Sequence, residues 1–376
     1  MAFGRGDFQN LSFLVIEDFD AMRGILRDLL RRCGARRVEV AANGIEAIGE
    51  MRRNPCDVVL CDFNLGAGRN GQQVLEEARH EGLISPATIW IMVTAEKTHE
   101  MIMGAVEHQP DDYLLKPVSE ASLQGRMEKL IDRKTALSGI ANAMRAKNYP
   151  KALDLCKARM EMEPGSTMEI LRLQAGIYQL MGQPAKGRAL LEAVLARREV
   201  AWARVALAKL DIEEGRHEAA REALEALVTG NTNFLEAYDV LAQTYQRDGA
   251  WEEVRRVLCQ AIRLSPNSFQ RQNALAESAL RCDDLAGAES AFFKSLKLSE
   301  QSALKTPAAY LGLARIYTDQ QKADDALKLL KRLPREIEGD GARLQAKAAE
   351  VRVHHSTGNL ARAEAAAAEV AAGVQA

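Results

Sequence analysis

The sequence predicts an α/β domain, a five-stranded parallel sheet wound on both faces by helices, followed by an all-α array of paired helices. Three observations carry this. Apolar strand-length runs alternate with helical periods up to about residue 134, strand signals then stop, and small residues return at a fixed spacing. A chain of 376 residues is too long for one ordinary domain, so two are expected, over 1–134 and 135–376.

The first part reads element by element. Leu11–Ile16 is a short apolar run ending in acids. Ala21–Arg32 has helical spacing, with Ile25, Leu26, Leu29 and Leu30 on one face. Val38–Ala41 is a strand and Gly44–Arg52 a helix. Asp57–Cys61 is a continuous apolar strand that ends at Asp62. Gln72–His80 is helical, Thr88–Val93 a strand, Thr98–Val106 helical, Asp112–Leu115 a strand and Ser119–Asp132 the closing helix. Strands this uniformly apolar belong to a parallel sheet covered on both faces.

Beyond residue 135 the pattern is helix, turn, helix. Candidate turn positions are Lys147, Gly182, Gly215, Gly249, Asp283, Gln321 and Gly358. Most steps are near the tetratricopeptide period of about 34 residues, and the last two are longer. The best copy is Tyr238, Leu241, Ala242 and Tyr245, then Gly249, Val254, Ala261 and Pro266. A second is Tyr310, Leu313, Ala314 and Tyr317 with Ala326. Small residues at a helix crossing let two backbones approach, and the tyrosines fill the gap to the next helix. About seven helix pairs are expected, and such arrays offer a curved surface to peptides or proteins.

Composition narrows the function classes. A formal charge of −2 argues against nucleic acid and anionic membranes as partners. No run of about 18 apolar residues is present, so no membrane insertion is expected. The start, MAFGRGDFQNLSF, lacks a basic region followed by an apolar core, so no leader is expected. The six Cys are scattered and never fall as C-x-x-C, which points to reduced thiols and a cytoplasmic location.

The chemistry gathers at strand ends. Glu17 and Asp18 follow the first strand, Asp62 the third, Thr94 the fourth and Lys116 the fifth. In an open parallel sheet that edge is where ligands bind, and a flavodoxin-like winding puts strands one and three beside the switch point. Three carboxylates in one crevice repel unless a cation sits among them. Mg²⁺, which prefers oxygen and takes few carboxylates, is the natural occupant. A carboxylate oxygen can then attack a phosphoryl group in line while Lys116 neutralises charge and Thr94 offers a hydroxyl.

The pieces VIEDFDAMR, VVLCDFNLG, IMVTAE and DDYLLKP, in this order and spacing, resemble the receiver domain of bacterial response regulators, most closely the chemotaxis type. The resemblance spans about residues 10 to 133. It implies that Asp62 accepts phosphate from a phosphohistidine on a sensor histidine kinase or phosphotransfer protein. It implies that Asp18, Asp62 and the backbone carbonyl of Asn64 ligate Mg²⁺ directly, with Glu17 acting through water. Thr94 and Lys116 would sense the phosphoryl group, and Tyr113 would be the rotating aromatic that reports it. Asn64 and Glu96 sit where family members tune dephosphorylation. One departure stands out: Gly66 takes the place of a usual Pro, and Gly71 comes one residue late.

No helix-turn-helix with a basic face and no Gly-rich phosphate loop follows this part. The expected output is therefore protein binding through the repeats rather than transcription or enzyme turnover. A phosphorylation-independent scaffold with a degenerate receiver is one alternative. A phosphohydrolase with an Asp nucleophile is another, disfavoured because Asp62-Phe63-Asn64 lacks a second carboxylate at plus two.

Overall fold

The computed structural model describes residues 7–375 apart from 67, 86, 96–109, 163–166, 231, 232, 301, 303 and 338. Strands β1 (Ser12–Ile16), β2 (Arg37–Ala41), β3 (Val58–Asp62), β4 (Ile89–Thr94) and β5 (Asp112–Leu115) form one parallel sheet in the order β2-β1-β3-β4-β5. The chain steps one way from β1 to β2 and the other way from β3 to β4, so the switch point lies between β1 and β3.

Strand side chains alternate between two buried layers. Phe13, Val15, Leu60, Ile91 and Val93 face α1 (Asp20–Arg32) and α4 (Glu120–Arg145), meeting Leu26, Leu30, Leu123 and Met127. Leu14, Ile16, Val59, Trp90 and Met92 face α2 (Gly44–Arg53) and α3 (Gly71–His80), meeting Ile48, Met51, Val74 and Leu75. Each fully buried large apolar side chain stabilises the fold by about 1.5–3 kcal/mol before entropy is counted. The helix expected over Thr98–Val106 lies outside the described residues.

Helix α4 corrects the expected stop at Asp132, because it continues to Arg145. Ser119 caps its start, with Oγ accepting from the Ser122 amide at 3.2 Å. Leu123, Met127, Leu130 and Ile131 bury one face against the sheet, whereas Ile140 and Ala143 bury another in the first helix pair. At 3.6 residues per turn the second face is rotated roughly 150° from the first. The expected boundary at 134/135 thus falls inside an unbroken helix.

Two side chains in the middle of α4 tie the sheet to the helix pairs. Lys134 Nζ reaches Asp111 at 3.0 Å and donates to the Thr88 carbonyl at 2.9 Å. Arg133 forms a two-pronged pair with Glu169. Thr88 and Asp111 precede β4 and β5, so this junction sits at the sheet edge opposite Asp62.

The helical array comprises the end of α4, then α5 (Tyr149–Met162), α6 (Thr167–Leu180), α7 (Pro184–Arg197), α8 (Ala201–Glu213), α9 (His217–Thr229), α10 (Leu235–Arg247), α11 (Trp251–Leu264), α12 (Phe269–Arg281), α13 (Leu285–Ser299), α14 (Ala308–Asp319), α15 (Ala323–Glu336), α16 (Asp340–Ser356) and α17 (Leu360–Gln375). The chain forms two compact units, one over 1–237 and the other over 238–376. In the first, Ile140, Ala152, Cys156, Ile170 and Ile177 make one core and Leu191, Val194, Ala203 and Leu210 another. In the second, Ala276, Phe292, Tyr310, Leu313 and Leu333 do the same.

All seven candidate turn residues adopt positive φ, from 55° at Lys147 to 80° at Gly215. Each turn closes with the same two hydrogen bonds. At Gly215, for example, its amide donates to Ile212 and the Arg216 amide to Asp211. This is the Schellman ending, which satisfies carbonyls at the end of a helix. Five residues after each turn stands a buried small or medium residue: Ala152, Gly187, Ala220, Val254, Ala288, Ala326 and Ala363. Turn-to-turn steps of 35, 33, 34 and 34 residues lengthen to 38 and 37 where the loop before α14 and helix α16 are longer. Among the described residues no helix is long and apolar enough to cross a membrane.

Candidate functional site

The carboxyl ends of β1, β3, β4 and β5 form one edge, and short extensions of the ladder hold the residues that follow. Glu17 N donates to the Ala41 carbonyl at 3.1 Å, Phe63 N to Val93 at 3.0 Å, and Lys116 N to Thr94 at 2.7 Å. Glu17, Asp62 and Thr94 are buried, and Asp18 is exposed. One carboxylate oxygen from each of Glu17, Asp18 and Asp62 lies within 4.8 Å of the others. Lys116 Nζ sits among them, 2.8 Å from Asp62 Oδ2 and 2.8 Å from Glu17 Oε2. The peptide before Pro117 is cis.

Among the described residues, three carboxylates face one ammonium. Burial pushes the Glu17 carboxyl above its ordinary range; the Lys116 hydrogen bond opposes this, and Asp62 and Asp18 add to the rise. Burial would lower Lys116, but its bonds to Asp62 and Glu17 outweigh that and hold the ammonium above its usual value. Both partners move the same way because one lysine is shared by two carboxylates in a crevice with excess negative charge. An all-oxygen donor set, crowded, undercharged with cations and open to water at Asp18, suits a hard divalent ion.

Asn64 lies just beyond the cluster, with its amide donating to Asp62 Oδ1 at 3.4 Å. Tyr113 is half-buried against the core beneath α3, and burial raises its hydroxyl pKa well above the ordinary value. Glu96 lies outside the described residues.

Four further features stand at or beside this edge. Arg23 Nη1 donates to the carbonyls of Glu17 at 2.6 Å and Asp18 at 3.3 Å, so a helix α1 side chain pins the acidic pair. Gly71 is pressed against the acceptor: a Cβ there would collide with the Asp62 carbonyl oxygen and lie 2.8 Å from Cys61 Sγ. Asn70 and Gln73 cap α3 reciprocally at that point. Arg69 Nε reaches the buried Glu77 of α3 at 3.0 Å. No spacing rule joins Arg23 to the backbone carbonyls it binds, or Arg69 to Glu77.

Residues 13–128 match the family model of the response regulator receiver domain. The chain is 29% identical over 125 residues to chemotaxis protein CheY-3 of Vibrio cholerae, which covers 33% of this chain and 95% of that protein. It is 28% identical over 123 residues to chemotaxis protein CheY of Pseudomonas aeruginosa, covering 33% and 98%. Among solved structures, Vibrio cholerae CheY4 aligns with 32% of this chain and 98% of its own, at 22% identity and a TM-score of 0.30. The C-terminal part of a TPR repeat-containing protein from Cytophaga hutchinsonii aligns with 62% of this chain and 93% of its own, at 16% identity and a TM-score of 0.49. Residues 13–128 are therefore similar to response regulator receiver domains, and an array of paired helices follows them.

Proposed function

We propose that the chain is a phosphorylation-controlled binding protein of a two-component system. Asp62 is the acceptor: its carboxylate oxygen attacks the phosphorus of a phosphohistidine on a sensor kinase or phosphotransfer protein. The new P–O bond forms as the P–N bond breaks, and the departing imidazole takes up a proton. The observation that carries this reading is the 2.8 Å approach of Lys116 Nζ to Asp62 Oδ2 inside the cluster of Glu17, Asp18 and Asp62.

Glu17, Asp18, Asp62 and the Asn64 carbonyl would hold Mg²⁺, which when bound neutralises charge on phosphoryl oxygens. Lys116 is already placed to follow the acceptor oxygen and offset the added charge. The Thr94 hydroxyl donates to a phosphoryl oxygen. Tyr113, sharing the β4–β5 edge, then moves with Thr94 and alters the surface beside β5. The helical array supplies the output by binding a protein or peptide, and no turnover of external substrates is assigned.

A pull-down from a native lysate tests the output. Wild type with beryllofluoride and Mg²⁺ should retain a different set of proteins from wild type without them, and Asp62→Ala should not respond. An identical set in every case would refute control by phosphorylation and leave a constitutive scaffold.

A further inference from the structure

The loop between Asp62 and α3 touches the acid cluster directly. Gly66, with φ 67°, lies against Asp18: a Cβ there would sit 2.9 Å from Asp18 Oδ2. Gly71 N donates to the Phe63 carbonyl at 2.9 Å and closes the loop beneath Asp62. Between these two contacts stands Arg69. Its Cβ packs 3.0 Å from the position of the Cβ that Gly44 of α2 lacks, and its Nε reaches Glu77 Oε2 at 3.0 Å.

Glu77 is an odd choice for its place. It is 3% exposed on a helix whose neighbouring inward residues, Val74, Leu75 and Ala78, are all apolar. An isolated buried carboxylate is costly, and an apolar residue of similar volume would pack at least as well. The Arg69 guanidinium is the cation that meets Glu77, with Nε 3.0 Å from Oε2. The pair fixes where the loop lies rather than adding to the core.

We propose that Arg69 and Glu77 are positioning residues: they latch the acceptor loop onto α3 and thereby set how tightly the acid cluster takes a divalent cation. This rests on the reading of Glu17, Asp18 and Asp62 as a cation site. Releasing Arg69 frees the segment that holds Gly66 against Asp18, so the Asp18 carboxylate loses a wall. Gly71 stays anchored on Asp62, so the acceptor itself does not move.

Calorimetric titration of the full chain with MgCl₂, after stripping with chelator, tests the latch without any phosphodonor. Arg69→Met and Glu77→Gln should each weaken Mg²⁺ binding by up to about 10-fold, the lower end of the range for residues bonded directly to metal ligands, since these two act through the loop. Arg69→Lys should recover part of the loss, and Arg69→Met with Glu77→Gln should be no worse than either alone. Variants that melt lower than wild type yet bind Mg²⁺ equally would overturn the latch and leave a structural pair. If Arg69→Met does not fold, the isosteric Glu77→Gln decides alone. A wild type that binds no Mg²⁺ overturns both the latch and the cation site. A wild type that binds Mg²⁺ but takes no phosphoryl group refutes phosphorylation at Asp62, while the variants still decide the latch.

Discussion

Replacing Lys116 by Met removes the ammonium that lies between Glu17 and Asp62, leaving two buried carboxylates beside Asp18. Removing one partner of a fully buried ion pair costs about 3–5 kcal/mol. The Lys116 side chain is 16% exposed and Asp18 opens to water, so a loss of about 2–4 kcal/mol is expected here. Hydrogen exchange of the β1 and β3 amides in metal-free buffer is the assay. At about 1.36 kcal/mol per decade, exchange through opening of the sheet should speed up roughly 30- to 1000-fold. The effect should depend on pH. The Glu17 carboxyl already sits above its ordinary 4.5, so the folded state holds that proton more tightly than the unfolded chain, and its destabilising effect grows as pH rises past that value. Without Lys116 the shift is larger, so the deficit should be greater at pH 8 than at pH 5. The raised Lys116 keeps its own stabilisation throughout this range and loses it only above 10.5. Unchanged or slower exchange in Lys116→Met at pH 8 would refute the view that the lysine offsets excess negative charge.

The remaining expectations concern the array and the thiols. Ala136→Pro, in the middle of α4, should cost about 3 kcal/mol and open α4 to protease near its midpoint; an unchanged digest would mean the helix is not continuous in solution. Lys147→Gly, Asp283→Gly and Gln321→Gly should each stabilise by about 0.5–1 kcal/mol, because non-glycine residues carry the left-handed turn there, whereas Gly215→Ala should destabilise by a similar amount. Thermal melts showing the opposite sign would remove the shared turn geometry. A thiol reagent at pH 8 should modify exposed Cys259 first and Cys282 next. Burial holds Cys56 at about 12 and Cys156 at about 11, and Cys61 well above its ordinary value, so these three should react only after unfolding. Rapid native labelling of Cys156 would contradict the packing of the first helix pair.

What the sequence disclosed follows from how local each signal is. The strand-end acids were legible because each terminates an apolar run, although Lys116 meets Glu17 and Asp62 across 99 and 54 residues. The turns were legible even at Lys147, Asp283 and Gln321, since register located them where composition alone would not. The length of α4 was not. Its buried face shifts past Ile131, and a period sought along one face ends there although the backbone continues. The Arg69–Glu77 pair joins a loop to a helix over eight residues, a spacing that no regular element brings together. Arg23 was hidden for a different reason: it binds the carbonyls of Glu17 and Asp18, and backbone partners leave no trace in side-chain patterns.

The central claim is that Asp62 is a phosphoryl acceptor. Intact-mass measurement after incubation with acetyl phosphate tests it most directly. One phosphoryl increment should appear with Mg²⁺, vanish with chelator, map to the peptide carrying Asp62, and be absent from Asp62→Asn. An increment that persists in Asp62→Asn, or none in wild type with Mg²⁺, would contradict the account.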